Sequence, residues 1–446
     1  MTVTGPCNGP DDVDVVALGE SMVTFLPSRP GRLADVPSFG RGIGGAESNV
    51  ACVLAAAGHS ARWISRVGAD GFGDHLLEAI GGYGVDVSHV RRDPARPTGV
   101  YFRTAGDRST DTHEVAYYRA GSAASAMSPA AVDLDAVRAG RVLHLSGITP
   151  ALSTGCLALM RELTAPHPAR PLISFDVNHR PGLWTDGHGP EELLELARGA
   201  DLVFVGEDEA EEAWGITGGP ARIRAALPEP EMLVVKQGAR GAVAFHDPPV
   251  GQARLLSPGG RTRLPAGGRA DLPADGRTRL PEVDQARFPE VDQARHPEAG
   301  QARLPAGGRA AGAMGVRPPE QSRERGRTGA DGGPQTPGRA PSPRPAATEP
   351  ALEVDVVATT GAGDAFAAGF LSATLRGLPL RDRLRHGHLM AAAALTAPGD
   401  LAPPPARAHA DRLAALDGTA WGRLRLGPGW TQAEEHRGPE KEARTR

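Results

Sequence analysis

The sequence is poor in lysine, cysteine and aromatic residues. Its 446 residues include two lysines, Lys236 and Lys441, so nearly all of the basic charge is carried by arginine. The three cysteines, Cys7, Cys52 and Cys156, are odd in number and lack metal-ligand spacing, so they predict neither a disulfide framework nor a zinc site. No apolar run is long enough to span a bilayer, and the first residues show no signal-peptide pattern, so we expect a cytoplasmic protein.

The charge balance gives no reason to expect a polyanionic partner. The formal net charge is −4 at pH 7, so neither nucleic acid nor an anionic membrane surface would be attracted to the chain as a whole. The sequence also lacks the G-x-x-x-x-G-K-[ST] pattern of a Walker-type phosphate loop. We therefore expect a small-molecule substrate and no nucleic-acid or membrane partner, and a bound phosphate must be held in another way.

Short β-rich runs alternate with longer helical patterns through the first half of the chain. Such alternation predicts βα units and a parallel sheet covered by helices on both faces, here over residues 13–249. Thr98–Arg103 and Val115–Arg119 instead alternate with period two around a polar turn, which predicts a hairpin and hence a small β-lid over about 98–119. The predicted sheet strands are Val13–Leu18, Val142–Leu145, Leu172–Phe175, Leu202–Val205 and Met232–Val235.

A repetitive segment interrupts this pattern over about residues 250–350. Consecutive octads over residues 261–308 carry proline at the same place, and proline at that density is incompatible with a helix or a central strand. Phe288 is the only aromatic residue in the segment, so the apolar content for a core is missing. We predict a disordered insertion, with a proline-stiffened interaction arm as the alternative.

The chain beyond the insertion is predicted to complete the same fold over residues 351–427. Within it, Val354–Val357 predicts a strand. Residues 1–12 are predicted to be a disordered N-terminus, and residues 428–446 a polar tail.

The turn TTGAGD at residues 359–364 joins the predicted strand to a helix. Its two glycines allow backbone N–H groups to turn inward at a helix N-terminus, which is an anion-binding arrangement. Asp364, in the first helical turn, is then placed to take a proton from a hydroxyl that attacks a bound phosphate. The alternative is an ordinary helix start in which Asp364 only stabilises the helix dipole.

A second glycine-rich stretch precedes an apolar helix that begins near residue 46. Gly44 and Gly45 allow a polyol to approach the backbone closely, and Asn49 offers both a donor and an acceptor to its hydroxyls. Gly40–Gly45 also fits the dinucleotide pattern G-x-G-x-x-G, but the preceding predicted strand lies well upstream, so we regard that match as accidental.

Two arginines suggest the charge of the substrate. Arg119 in YYRAGSAAS and Arg180 in DVNHR suit a carboxylate, because guanidinium presents paired donors that match its two oxygens. The alternative is that both make surface salt bridges, as most arginines do.

Together these motifs resemble those of the ribokinase-like (PfkB) carbohydrate kinases. TTGAGDAFAAGF is similar to the second family signature, and Gly40–Ala57 with RVGADGFG at 66–73 is similar to the first. The resemblance implies an α/β fold, a three-layer α/β/α sandwich with a small β-lid, that uses ATP and Mg²⁺ and can pair as a homodimer through its lid. The site residues that it implies are Asp364 as base, Gly361, Ala362 and Gly363 as anion hole, Gly44, Gly45 and Asn49 as sugar floor, Lys236, Gly238 and Gly241 on the nucleotide side, and Glu209 at the metal.

The segment YYRAGSAAS is similar to the lid of 2-keto-3-deoxygluconate kinases. This implies Tyr117, Arg119 and Arg180 as ligands of a sugar acid, with Tyr101 as a further candidate. The implied reaction is ATP-dependent phosphorylation of 2-keto-3-deoxygluconate to its 6-phosphate. A kinase for another sugar, such as fructose or ribose, and a catalytically weak binding protein with the kinase fold are the alternatives.

Two positions depart from the family pattern. Gly206 stands where the family has the asparagine of Asn-x-x-Glu, although Glu209 is kept, so the organisation of Mg²⁺ or phosphate is put in doubt. Ala358 stands where the family has an acidic residue tied to monovalent-cation binding, so activation by K⁺ is not expected.

Overall fold

The computed structural model describes residues 13–29, 31–104, 114–184, 187–247 and 343–432. Most of the predicted insertion, residues 250–342, and the predicted N-terminal segment 1–12 lie outside these ranges. Within the described ranges no helix is both long and apolar enough to cross a bilayer.

The strands at the centre of the large sheet form where apolar and β-branched residues run together, as the sequence predicts. The strands of the described ranges are β1 Val13–Leu18, β2 Met22–Pro27, β3 Phe39–Gly44, β4 Ala61–Ile64, β5 Arg66–Gly68, β6 Arg91–Asp93, β7 Val100–Arg103, β8 Val115–Tyr118, β9 Gly140–Ser146, β10 Leu172–Asp176, β11 Leu202–Gly206, β12 Met232–Lys236, β13 Ala242–His246, β14 Ala347–Glu349, β15 Glu353–Val354 and β16 Arg425–Leu426.

Helices occupy most of the connections between the strands of the large sheet. In the described ranges they are α1 Ala46–Ala56, α2 Gly71–Gly82, α3 Leu134–Arg138, α4 Thr154–Thr164, α5 Gly189–Arg198, α6 Glu207–Trp214, α7 Pro220–Ala226, α8 Ala362–Leu375, α9 Leu380–Leu395, α10 Arg407–Ala414 and α11 Gly418–Trp421.

A sheet of eight strands forms the centre of the fold, in the order β14-β13-β12-β11-β10-β9-β1-β4. The strands from β12 to β4 run parallel, whereas β13 and β14 add an antiparallel edge. Alternate side chains of the buried strands face opposite cores: in β11, Val203 and Val205 face one core, and Leu202 and Phe204 face the other.

Helices cover both faces of this sheet. One core is filled from α3, α4, α5, α6 and α7, and the other from α1, α8 and α9. The predicted three-layer α/β/α sandwich is therefore confirmed. Because the parallel strands all end at the same edge, the turns that follow β10, β11 and β12 meet there.

The lid is a separate sheet of four strands in the order β3-β2-β7-β8. β7 and β8 pair antiparallel, as expected from the period-two pattern of the sequence. The lid is larger than the predicted hairpin, because β2 and β3 also belong to it. Its apolar side is held by aromatic contacts, with Phe25 stacked on Phe102 at a centroid distance of 4.7 Å.

The structure corrects three boundaries. The insertion was predicted to end at 350, but β14 already pairs with β13 over 347–349. The strand predicted at Val354–Val357 is limited to β15, which pairs with β16 outside the central sheet, because the last two valines are exposed. Trp430, inside the predicted polar tail, is buried, and its indole N–H donates to Thr396 Oγ1 at 3.2 Å.

The edge strand β14 is fixed by a buried ion-pair network. Glu349 accepts from Arg385 Nε and from Arg381 Nε, each at 2.9 Å. Arg385 is 1% exposed, and its guanidinium lies 4.5 Å from the ring centroid of Trp421. The first described strand after the insertion is therefore anchored to α9 as well as to β13.

Candidate active site

A cavity of about 780 Å³ opens at the edge of the central sheet where the parallel strands end. Its wall combines the lid, the start of α1, the ends of β10 and β12, and the start of α8. All predicted site residues line it except Ala362, Gly238 and Gly241. The lining residues that the sequence predicted are Gly44, Gly45, Asn49, Tyr101, Tyr117, Arg119, Arg180, Glu209, Lys236, Gly361, Gly363 and Asp364.

The first turn of α8 forms part of the cavity wall. Gly361 precedes the helix with φ of 78°, a left-handed conformation that favours glycine. A Cβ atom built there would lie 2.1 Å from the backbone oxygen of Asp400, so any residue with a side chain would clash at this position. As at any helix start, the first N–H groups of α8 have no intrahelical partners, and Gly361 and Gly363 beside them line the cavity. An anion can be held here without a Walker-type loop.

Asp364 lies in the first turn of α8 and faces the cavity. Asn49 Nδ2 donates to its Oδ2 at 2.8 Å, so the helices α1 and α8 position the carboxyl group together. Burial raises the pKa of Asp364 to about 7, the Asn49 hydrogen bond opposes the rise, and the carboxylate of Asp176 adds to it. A carboxyl with a pKa near neutrality can accept a proton during the reaction and release it afterwards.

Lys236, at the end of β12, is a cation whose charge opposes the rise in the pKa of Asp364. Its Nζ lies 3.0 Å from both carboxylate oxygens of Asp176, at the end of β10. Burial lowers the pKa of Lys236, but the carboxylates of Asp176 and Glu209 outweigh burial, so the pKa is raised and the side chain stays charged. A fixed positive charge therefore lies beside the start of α8, where phosphate oxygens would be placed.

Glu209, the predicted metal ligand, lies in the first turn of α6. Its Oε2 accepts the backbone N–H of Gly206 at 2.7 Å, and its Oε1 lies 3.7 Å from Arg180 Nη1. Burial raises its pKa, and the charge of Lys236 opposes that rise. One carboxylate oxygen thus caps its own helix, while the other points toward the arginine at the cavity.

The metal-binding capacity of the site is limited to a few carboxylates. Within the described ranges no group of three or more His, Cys, Asp or Glu side chains is arranged to hold a metal ion. Mg²⁺ usually keeps several waters and is held by one or two carboxylates together with substrate phosphates. The carboxylates of Asp176 and Glu209 at the cavity fit that mode of binding, and a dedicated protein cage is not needed.

Of the predicted ligands from the lid, Tyr117 is exposed, whereas the side chains of Tyr101 and Arg119 are largely buried. Tyr117 is 53% exposed, and the guanidinium of Arg119 lies 5.9 Å from its ring centroid. Arg119 itself is paired with the buried Glu20. The hydroxyl of Tyr101 donates to Asp400, so this tyrosine is already engaged within the protein.

Asp400 is a cavity residue that the sequence did not predict. Arg103 Nη2 donates to its Oδ1 at 2.6 Å, and Tyr101 donates to its Oδ2. The same residue packs its backbone oxygen over Gly361, so one loop joins the lid to the anion-binding turn. It follows α9 in a Pro/Gly-rich segment, and no periodicity or motif in that segment distinguishes its carboxylate.

The motif DVNHR starts at the last residue of β10, and its asparagine has a left-handed backbone conformation. Asn178 lines the cavity with φ of 41°, the one non-glycine residue of the described ranges in the left-handed region. Such strain occurs at functional sites because the surroundings hold it in place. Arg180 follows with a half-exposed side chain, whose Nη1 donates to the backbone oxygen of His179 at 2.8 Å.

Gly238 and Gly241 lie in the turn between β12 and β13, away from the cavity lining. A Cβ atom at Gly241 would lie 2.2 Å from the backbone oxygen of Glu349 in β14. Gly241 is therefore required for packing of the sheet edge. A role of either glycine in nucleotide binding stays a prediction, as do the roles predicted for the residues that do line the cavity.

Comparisons with known proteins agree with this architecture. A family model described as pfkB family carbohydrate kinase matches residues 12–259 and 346–407. A 2-dehydro-3-deoxygluconokinase from Thermoproteus tenax is 33% identical over 237 residues, 52% of this chain and 72% of that protein. One from Bacillus subtilis is 39% identical over 206 residues, 45% of this chain and 62% of that protein. The crystal structure of a PfkB protein from Polaromonas sp. JS666 superposes with a TM-score of 0.60 at 26% identity, covering 90% of this chain and 99% of that one.

The α/β/α sandwich, the four-stranded lid and the cavity that Asp364 lines agree with the class of carbohydrate kinases. The chain belongs to the pfkB family of carbohydrate kinases. The predicted enzyme class, an ATP-dependent carbohydrate kinase, is confirmed at this level. The family matches break at the octad segment, which is where the predicted insertion lies.

Proposed function

We propose that the protein transfers the γ-phosphoryl group of ATP to the terminal hydroxyl of 2-keto-3-deoxygluconate, which yields the 6-phosphate and ADP. The observation that carries the proposal is that Asp364, with its pKa near 7, shares one cavity with Arg119 and Arg180. A base for the hydroxyl and two cations for a carboxylate are what a sugar-acid kinase needs. Two relatives named 2-dehydro-3-deoxygluconokinase, after the same sugar acid, support it.

The residues divide the work of phosphoryl transfer. Asp364 takes the proton of the attacking hydroxyl, whose oxygen forms the new bond to phosphorus as the bond to the ADP oxygen breaks. The N–H groups at the start of α8 and the ammonium group of Lys236 stabilise the charge on the phosphoryl oxygens. Mg²⁺, when bound through Asp176 or Glu209, would neutralise charge on the nucleotide phosphates.

The substrate class is tested by a panel of sugars in a coupled assay of ADP release. We expect turnover with 2-keto-3-deoxygluconate at a kcat/KM well above those for fructose and ribose. Arg119→Ala should lower kcat/KM for the sugar acid by about 100-fold, because a charge-assisted contact is worth roughly 1.5–3 kcal/mol. The exposed Arg222→Ala on α7 is the matched control and should have no effect. Equal losses on acid and neutral sugars would remove the carboxylate assignment.

A binding protein with weak catalysis is the second candidate. It is favoured by Gly206, since the glycine offers no side-chain amide at the start of α6. This candidate predicts heat of sugar-acid and nucleotide binding in calorimetry together with no ADP release from the unaltered protein. Turnover that Asp364→Asn abolishes would exclude it.

We also propose pairing of two chains through their lids. β8 is an edge strand of the lid sheet, and its residues Val115, Tyr117 and Tyr118 are 37%, 53% and 66% exposed. Exposed apolar side chains on an unpaired strand edge favour association. Light scattering on a size-exclusion column should give a dimer mass that Tyr118→Lys lowers to that of the monomer.

A cytoplasmic location and the absence of nucleic-acid or membrane partners remain expectations from the sequence.

A further inference from the structure

Glu20 is a buried carboxylate directly behind the lid arginine that faces the cavity. We infer that Glu20 is a positioning residue, which holds the guanidinium of Arg119 in the orientation that receives a substrate carboxylate. The inference rests on the proposed function and deepens it, because it makes acid recognition depend on a residue outside the cavity wall.

The contacts of Glu20 define a fixed acceptor for the lid. Glu20 follows β1 by two residues, and its side chain is 1% exposed. One carboxylate oxygen pairs with Arg119 Nη2, and the other accepts the hydroxyl of Ser122, three residues further along the lid segment. Since both partners come from the turn after β8, the carboxylate fixes that turn against the end of β1.

Two glycines make room for this pair. A Cβ atom at Gly99 would lie 3.0 Å from Glu20 Oε1 and 3.4 Å from Arg119 Cβ. A Cβ atom at Gly45 would lie 2.4 Å from the backbone oxygen of Glu20. The pair therefore lies between the start of lid strand β7 and the glycines of the predicted sugar floor. A shift of Glu20 would displace both of these backbone segments.

Arg119 keeps donors that Glu20 does not use. Its side chain is 10% exposed, and both its Nε and the paired Oε2 of Glu20 lack a hydrogen-bond partner among the described residues, so the contact is an ion pair. A guanidinium that is ion-paired on one side and also lines the cavity can receive a second anion there. The buried carboxylate also offsets the charge of Arg119 in the empty enzyme, where an unpaired buried cation would be costly. Removal of the Glu20 charge should then release the arginine from its orientation.

Glu20→Gln keeps the shape of the side chain and a partner for Ser122 but removes the charge. We expect it to raise KM for 2-keto-3-deoxygluconate about tenfold with kcat changed less than about threefold, the pattern of lost ground-state binding. KM for any neutral sugar that the enzyme accepts should not change. In the background of Arg119→Ala, the same change should have no further effect. The exposed Glu78→Gln on α2 is the matched control.

The outcomes separate this inference from the function on which it rests. If Arg119→Ala selectively impairs the sugar acid but Glu20→Gln does not, Glu20 has no positioning role and the proposed function stands. If Arg119→Ala impairs acid and neutral sugars equally, or no sugar acid is turned over or bound, both fall. Should Glu20→Gln fail to fold by circular dichroism, Ser122→Ala, which frees only one carboxylate oxygen, should raise KM for the acid in the same direction; no change there would overturn the inference.

Discussion

Asp364→Asn should abolish turnover and, at pH 8, make the protein more stable. The ordinary pKa of an aspartate, 3.8, is raised to about 7 here because the charged form is desolvated. Between these values the folded state binds a proton that the unfolded state has released, so stability falls as pH rises from about 4 to about 7. Asparagine removes the charge, and its amide oxygen can still accept from Asn49 at the position now held by Oδ2.

The size of the stabilisation expected for Asp364→Asn follows from the raised pKa of Asp364. About three pKa units at roughly 1.4 kcal/mol each set a ceiling of about 4 kcal/mol. Asp364 faces an open cavity, and solvent there screens part of the charge, so we expect about 1–3 kcal/mol. The stabilisation should be nearly complete at pH 8 and much smaller at pH 5, where most of the folded wild type carries the proton.

Urea denaturation at pH 5 and pH 8 measures this difference directly, and the coupled ADP assay measures activity on the same samples. Asp135→Asn, an exposed aspartate at the start of α3, is the matched control and should shift stability by little at either pH. In the wild type, kcat/KM should fall about tenfold per unit below pH 7, because the ionised carboxylate is the base. A variant that is less stable than the wild type at pH 8, or equally stabilised at both pH values, would refute the burial of this charge.

Three further changes test the structure around the site. Gly361→Ala puts a methyl group 2.1 Å from a backbone oxygen and should lower the free energy of unfolding, measured by urea denaturation, by about 2–4 kcal/mol. Gly377→Ala, at a residue with φ of 70° in open space, should lower it less. Equal losses would contradict the predicted clash. Glu349→Ala leaves a buried arginine unpaired and should lower the free energy of unfolding by about 3–5 kcal/mol. Glu353→Ala breaks an exposed ion pair and should lower it by less than about 1 kcal/mol. The reverse ranking would show that burial does not decide how much each ion pair contributes to stability. Replacing residues 250–342 by a short glycine–serine loop should leave kcat and the melting temperature nearly unchanged, because β13 and β14 already pair side by side; an insoluble product would contradict this.

The sequence predicted those elements whose signals are local. The strands β9 to β12 are continuous runs of buried residues, and α8 follows a turn whose glycines indicate a helix start. The residues around Asp364 were proposed for the same reason, since the predicted anion pocket and base come from six consecutive residues. Arg119 and Arg180 were proposed from side-chain chemistry, and the fold brings both to the cavity.

Elements fixed by tertiary contacts were missed. β3 reads FGRGIG, which is too rich in glycine to predict a strand, and it forms because it pairs with β2 across the lid. β14 is three residues long and follows a proline-rich stretch, so its pairing with β13 decides its conformation. Glu20 and Asp400 gain their importance from arginines about 100 and 300 positions away, and no local pattern can report such partners.

The position of the octad segment has a consequence for synthesis of the protein. During translation β13 leaves the ribosome about a hundred residues ahead of its partner β14, and helix α8, which carries Asp364, comes later still. At about 5–20 residues per second, the open edge of β13 waits on the order of ten seconds for that partner. The nascent chain therefore spends this interval with an unpaired strand and an uncovered apolar face, the period in which we expect chaperones to bind it.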